Sequence, residues 1–210
     1  MATSKVKSQE FLIKGVIPLK PLDCAVSRLG IVGDAFPVIL TPDEKIAVAG
    51  AMFGKGRIVQ MAHEAYVSVT DEASGWPRLV RNIYKWLAPG ICRPKVGILR
   101  LGSNKYEGHL EGIKKYGFIS SYVEKVDEFN SVDVLLGDTY TKYNDEVLNV
   151  IRTLVKDKGK GVFLIGHNWA SSNNYANGLL FDCGITVTTE YVAYDAKKLL
   201  KPVKIATSSK

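Results

Sequence analysis

Residues Gly161–Trp169 read GVFLIGHNW, and the fold turns on how this stretch is placed. Val162 to Ile165 are apolar without a break. A run that short suits a strand buried on both faces, as in the middle of a parallel sheet. Gly166 then permits a sharp turn, so His167, Asn168 and Trp169 emerge at the strand's carboxyl end. That edge is where open α/β sheets bind their ligands.

Working outward, the sequence from Pro94 alternates strand and helix. Val96–Leu101 reads as a strand, followed by the turn Gly102-Ser103-Asn104 and a helix over Tyr106–Tyr116 that Gly117 stops. Ser120–Val126 alternates as a strand, and Val132–Leu136 is a buried strand ending in Gly137-Asp138-Thr139. Asn144-Asp145-Glu146 caps a helix carrying Val147, Ile151, Leu154 and Val155, which Gly159 closes. Asn173–Asp182 is a short helix and Ile185–Tyr191 a last strand. Strands alternating with helices imply right-handed crossovers and a parallel sheet.

The amino-terminal half is β-rich. FLIKGVIPL is a possible first strand, stopped by Pro18 and Pro21. Gly30 and Gly33-Asp34 mark turns, and Phe36–Leu40 is a short apolar run. Ile46–Phe53 and Arg57–Ala62, joined by Gly54-Lys55-Gly56, predict a hairpin ending at His63-Glu64. Leu79, Val80, Ile83, Trp86 and Leu87 recur at helical spacing after Thr70-Asp71-Glu72 and before Pro89-Gly90.

Composition fixes the function classes. With 46% hydrophobic and 23% charged residues, 210 residues can bury a core. No apolar run approaches the roughly 20 residues of a membrane helix, and no apolar segment follows the lysines at the start, so no signal peptide is expected. Cys24, Cys92 and Cys183 are odd in number and lack metal-ligand spacing, which fits reduced thiols in a cytosolic protein. The net charge of +7 is concentrated at the ends: residues 1–10 and 196–210 hold seven of the 28 basic residues and one of the 21 acidic ones. The body is nearly neutral, which argues against a nucleic-acid face. These lysines are expected to be solvated, with at most weak attraction to an acidic membrane surface. The predicted organisation is a flexible basic tail (1–10), one α/β domain (11–195, divided into a hairpin-plus-helix portion, 11–90, and an alternating portion, 94–195) and a basic tail (196–210).

Three polar clusters should share one sheet edge: Ser103-Asn104, Asp138-Thr139 and His167-Asn168. A nucleophile elbow needs Ser or Cys at its tip, but the tip here is His167 or Asn168, with Ser171, Ser172 and Cys183 further on. His63-Glu64 is not the start of HExxH, because Val67 stands where the second histidine belongs. With three histidines a His-based zinc site is not expected, and His109 reads as a surface residue. No metal or other cofactor is predicted. The ligand-binding candidates are Gly102, Ser103, Asn104, Gly166, His167 and Asn168, of which Gly102–Lys105 could hold an anion on backbone N–H groups.

Phe36-Pro37-Val38, the run Ile46–Phe53, GKGRIVQMAHEAYV, NIYKWLAPG and VIRTLVKDKGKGVFLIGHNWA together resemble the amino-terminal region of the TRP channel-associated factors, over roughly residues 30–195. That family is related to enhancin-like zinc peptidases. The resemblance implies a flavodoxin-like domain similar to class I glutamine amidotransferases: a three-layer sandwich about a mostly parallel sheet, with a β-rich extension containing the hairpin. It implies a cytoplasmic protein that binds a protein partner, a membrane channel by analogy, and an amino-terminal piece or short relative of the family. The amidotransferase cysteine would fall near Gly166-His167-Asn168, where no cysteine stands.

The first expectation is therefore a non-catalytic interaction domain, with exposed Trp or Tyr side chains as candidate anchors. The alternative is a hydrolase or a sugar- or nucleotide-processing enzyme using His63, Glu64, Asp138 and His167 as acid–base groups. It gains weight if His63 and His167 lie within about 8 Å of each other in one cleft. A second alternative is a small-ligand binder using the strand-end cleft.

Overall fold

The computed structural model describes residues 2–22, 26–100, 107–167, 175–192 and 198–203. Its elements are α1 (Ala2–Ile13), β1 (Val26–Ile31), β2 (Phe36–Leu40), β3 (Ile46–Phe53), β4 (Gly56–Met61), α2 (Trp76–Leu87), β5 (Lys95–Leu99), α3 (Glu107–Lys115), β6 (Ile119–Val123), β7 (Val134–Asp138), α4 (Asp145–Lys156), β8 (Gly161–Ile165), α5 (Asn177–Asp182), β9 (Ile185–Val192) and β10 (Lys201–Pro202). Short 3-10 turns cover Glu64–Ser68, Glu72–Ser74 and Val126–Ser131.

The strands form a ten-stranded sheet ordered β10-β2-β3-β4-β8-β7-β5-β6, with β1 paired to β3 and β9. From β4 to β6 every ladder is parallel. The remaining ladders are antiparallel. Strand β4 belongs to both halves, since one side pairs with β3 and the other with β8, a strand a hundred residues later. Every residue of β8 is buried, as its unbroken apolar run requires.

Helices cover both faces of the parallel half. Successive strand residues point to opposite faces. The guanidinium of Arg57 donates to the Trp86 carbonyl on α2, whereas a Cβ on neighbouring Gly56 would meet Val155 on α4. On the α2 face, Phe163 of β8 meets Tyr84 edge-on at 5.5 Å. Gly161 has to be glycine because a Cβ there would stand 2.6 Å from Leu87. Helix α2 buries Leu79, Val80, Ile83, Trp86 and Leu87, the residues whose spacing predicted it, together with Tyr84. Each such burial contributes on the order of 1.5–3 kcal/mol. Asn144 caps α4 as expected, its side-chain oxygen accepting from Val147 N at 2.8 Å. The β3–β4 turn has Gly54 at φ +58°, the positive φ of a type II′ first position. Lys55 N then donates to Lys156 O at the end of α4.

Six expectations need correction. Residues 2–10 are helical and not a flexible tail, and Phe11–Ile13 close α1 instead of opening a strand. Leu12 is fully buried. Gly15, at φ +70°, ends the helix, and Asn82 of α2 donates to the Leu12 and Lys14 carbonyls. Leu19 then exchanges backbone hydrogen bonds with Leu200, so residues 200–202 of the expected basic tail are docked here too, with Lys201 and Pro202 paired to β2. Gly30 lies inside β1, not in a turn, because β9 supplies a partner strand. The last strand, β9, is antiparallel and lies outside the parallel block. His109 is buried, 8% exposed: its Nδ1 shares a hydrogen bond with Ser68 Oγ from the 3-10 turn after β4.

Candidate functional site at the carboxyl ends of β4, β7 and β8

The β4–β8 ladder does not stop with the strands. Its register, Met61 opposite Ile165, continues as Gly166 N donates to Met61 O at 2.8 Å and Glu64 N to Gly166 O at 2.9 Å. The two chains thus leave the sheet side by side, and His63 and His167 face each other with ring centroids 4.6 Å apart, tilted by 42°. Ser27 of β1 holds the His167 carbonyl through its hydroxyl at 3.0 Å. A small residue is needed at Gly166, where a Cβ would crowd the Ala62 carbonyl at 3.1 Å.

His63 caps the 3-10 turn that follows it: Nδ1 accepts from Ala65 N at 3.1 Å. That bond places the proton of the neutral ring on Nε2. Burial, with the neighbouring His167, lowers the pKa to about 4, so the ring is neutral at pH 7. Glu64 Oε1 lies 4.0 Å from His167 Nε2, and the carboxylate accepts the Tyr140 hydroxyl. Burial raises the Glu64 pKa, opposed by the Tyr140 hydrogen bond and aided by the charge of Asp138. Tyr140 also stands edge-on to His167 at 6.3 Å.

Asp138 is fully buried at the end of β7. Its Oδ1 accepts from Tyr140 N at 2.9 Å and from Thr141 N, and its Oδ2 accepts from Thr141 Oγ1 at 2.8 Å. These bonds form a side-chain-closed turn that presents Tyr140 to Glu64. Through these bonds Asp138 positions the loop. The hydroxyl of Thr139 and Oε1 of Gln60 are buried at this end of the sheet and find no partner among the described residues.

The structure brings together His63, Glu64, Gly166 and His167, with Asp138 beneath them. Gly102, Ser103, Asn104 and Asn168 lie outside the described residues, as do Ser171, Ser172 and Trp169. Two participants escaped the sequence reading. Tyr140 gave no signal beyond following Asp138. His109, one of whose neighbours is Ile165, looked solvent-facing on its helix, yet burial lowers its pKa to about 4. The described cysteines do not serve this corner as nucleophiles. Cys92 is exposed beyond α2, ahead of the opposite strand ends. Cys183 donates to Leu179 O, and burial pushes its pKa up to about 12. Among the described residues no three His, Cys, Asp or Glu side chains are grouped to hold a metal ion. No described helix is long and apolar enough to cross a membrane. Of the aromatic anchors expected on the surface, Tyr175 is 40% exposed, whereas Trp76 and Trp86 are buried.

The chemistry available here is that of two facing imidazoles and a raised carboxylate at the edge of a mixed α/β sheet. Residues 1–202 match the family model described as "TRPM8, N-terminal domain", and the chain belongs to the TRPM8 channel-associated factor family. It is 30% identical over 184 residues to a TRPM8 channel-associated factor homolog of Danio rerio, covering 87% of this chain and 18% of that protein. It is 28% identical over 193 residues to TRPM8 channel-associated factor 2 of Mus musculus, covering 90% of this chain and 19% of that one. The chain thus spans about a fifth of the length of these relatives. The fold is shared with the IMPa metallopeptidase of Pseudomonas aeruginosa, at a TM-score of 0.70 and 12% identity, over 94% of this chain and 24% of that one. IMPa in complex with an O-glycopeptide gives a TM-score of 0.69 at the same identity, over 91% and 22% of the two chains.

Proposed function

We propose that this chain is a non-catalytic protein-interaction domain that binds a membrane channel from the cytoplasmic side; the names of its relatives state association with the TRPM8 channel. The match to the family over residues 1–202 carries this reading. One feature supports it: the buried Cys183 thiol is no nucleophile. The parallel half agrees with an amidotransferase-like ancestry. The order β6-β5-β7-β8 runs 2-1-3-4 as in a flavodoxin-like sheet, and β4, from earlier in the chain, takes the next place, which supports this reading. In this reading the domain is a pseudoenzyme that keeps the sheet and its ligand-binding edge without the reactive group. The basic segments add at most a weak attraction to an acidic membrane surface.

The test is capture of detergent-solubilised TRPM8 channel by the immobilised chain. Retention of the channel, undiminished by His167→Ala, is the expected result. Failure to retain it removes the proposal.

A second reading is favoured by one observation, the 4.6 Å separation of the His63 and His167 rings beside Glu64. There the corner is the acid–base centre of a hydrolase or a sugar- or nucleotide-processing enzyme. It predicts turnover of a panel of ester, glycoside and nucleotide substrates that His167→Ala abolishes. No turnover by the intact chain excludes it.

A further inference from the structure

At the other end of β4, six residues and about 20 Å before His63 at strand rise, lies an unassigned basic pocket of about 400 Å³. It is lined by Ser4, Lys7, Ser8 and Phe11 of α1, by Arg57 and by Trp86. The α1 residues have spacing i, i+3, i+4 and i+7, so they form one face of the helix. A helix ordinarily packs onto a sheet through an apolar face. Here Ser8 is buried beneath exposed Ser4 and Lys7, so the face turned to the pocket carries two hydroxyls and an ammonium group.

Arg57 is half-buried, with its guanidinium 5.1 Å over the Trp86 ring. One nitrogen, Nη1, donates to the Trp86 carbonyl at the end of α2. An arginine has five N–H donors, and no other acceptor is found for them among the described residues. Neither Arg57 nor Lys7 has a carboxylate within ion-pair distance among those residues. Burial displaces the Arg57 pKa downward with no anion to offset it. Capping α2 would need a single N–H at the surface. It does not explain a second cation and two hydroxyls facing the same volume.

The geometry points to this pocket as a binding site for a phosphate monoester, the dianion held by Arg57 and Lys7, its oxygens accepting from the hydroxyls of Ser4 and Ser8. The planar guanidinium fork suits two oxygens of one phosphate. The volume exceeds that of a bare anion and falls in the range of small-molecule sites. Phe11, 44% exposed, forms an apolar rim for the organic part. The site is separate from the strand-end corner and independent of the role proposed for the chain. The same headgroup chemistry occurs on soluble metabolites and on phosphatidic acid, so the source is decided by experiment.

Amide and indole NMR shifts of the full chain are followed during addition of AMP, of glycerol 3-phosphate and of inorganic phosphate. Co-sedimentation is measured in parallel with phosphatidylcholine vesicles with and without phosphatidic acid. Saturable shifts at Ser8 and the Trp86 indole with a soluble ester support the site with a soluble ligand. Sedimentation only with phosphatidic acid supports it with a lipid ligand. In either case Arg57→Gln should weaken binding by about tenfold or more, while Arg57→Lys keeps part of it. Should Arg57→Gln fail to fold, Lys7→Gln combined with Ser8→Ala decides, since neither change removes a core side chain. Shifts that do not saturate at millimolar ester, together with no dependence on phosphatidic acid, overturn the proposal. So does binding that is unchanged in the Lys7→Gln, Ser8→Ala protein.

Discussion

Acidification from about pH 7.5 to about pH 5 is expected to destabilise this fold by about 2–4 kcal/mol through two imidazoles. His63 and His109 each have a pKa near 4 when folded against about 6.5 in the unfolded chain. A group whose folded pKa is depressed is held neutral by the fold, so the unfolded chain takes up the proton first. The stabilising contribution is therefore complete above pH 6.5 and is lost as pH falls toward 4. At pH 5 the linkage relation gives about 2 kcal/mol per ring before solvent screening. Screening at the partly open His63 brings the pair to the lower part of the range. Glu64 works in the opposite direction: its raised pKa means that acid relieves a cost, so it offsets part of the loss. With a urea slope of about 2 kcal/mol/M for a chain of this size, the midpoint should fall by roughly 1–2 M. The decisive comparison is with His109→Gln, whose amide can still bond Ser68, and with His63→Asn, whose side-chain oxygen can replace Nδ1 as the cap. Each should remove about half of the pH dependence. A urea midpoint equal at the two pH values, or a slope that survives both substitutions, would refute the reasoning.

Other expectations follow from single side chains. Asp138→Ala leaves the N–H groups of Tyr140 and Thr141 without their acceptor and should cost about 2–4 kcal/mol in chemical denaturation; Asp138→Asn, which keeps one oxygen, should cost less. Tyr84→Phe deletes a buried hydroxyl that has no partner among the described residues, so it should be neutral or stabilising by up to about 1 kcal/mol in the same assay. Iodoacetamide at neutral pH should label exposed Cys92 and leave Cys183 unmodified, as read by peptide mass spectrometry. Rapid labelling of Cys183 would mean that α5 opens readily.

The elements legible in the sequence are those whose signal is local. The glycines of the β3–β4 turn, the Asn144 cap and the apolar stripe of α2 each state their conformation within a dozen residues. Helix α1 was hidden because its first turns bury little beyond Ser8 and expose Ser4 and Lys7, so it reads as a charged tail. Strand β1 was hidden because Gly30 resembles a turn until β9, more than 150 residues on, pairs with it. The site divides in the same way. That His167 would sit at a strand end could be read from Gly166. That it would face His63 depends on β4 lying beside β8, a neighbour that chain order alone does not choose. His109 was misread because its partner, Ser68, comes from a turn forty residues upstream. Asp138 was correctly placed at the edge, but its hydrogen bonds assign it to the loop.

The double membership of β4 has a consequence during synthesis. One side of the β3–β4 hairpin has no partner until residues 161–165 have been made. At about 5–20 residues per second on the ribosome, that interval lasts roughly 5–20 s. During it an apolar ribbon with unmet backbone donors is available to any other nascent chain. Cells producing this protein should therefore need holdase chaperones on the nascent chain, and release of a chain truncated before Gly161 should give aggregates instead of a smaller folded product.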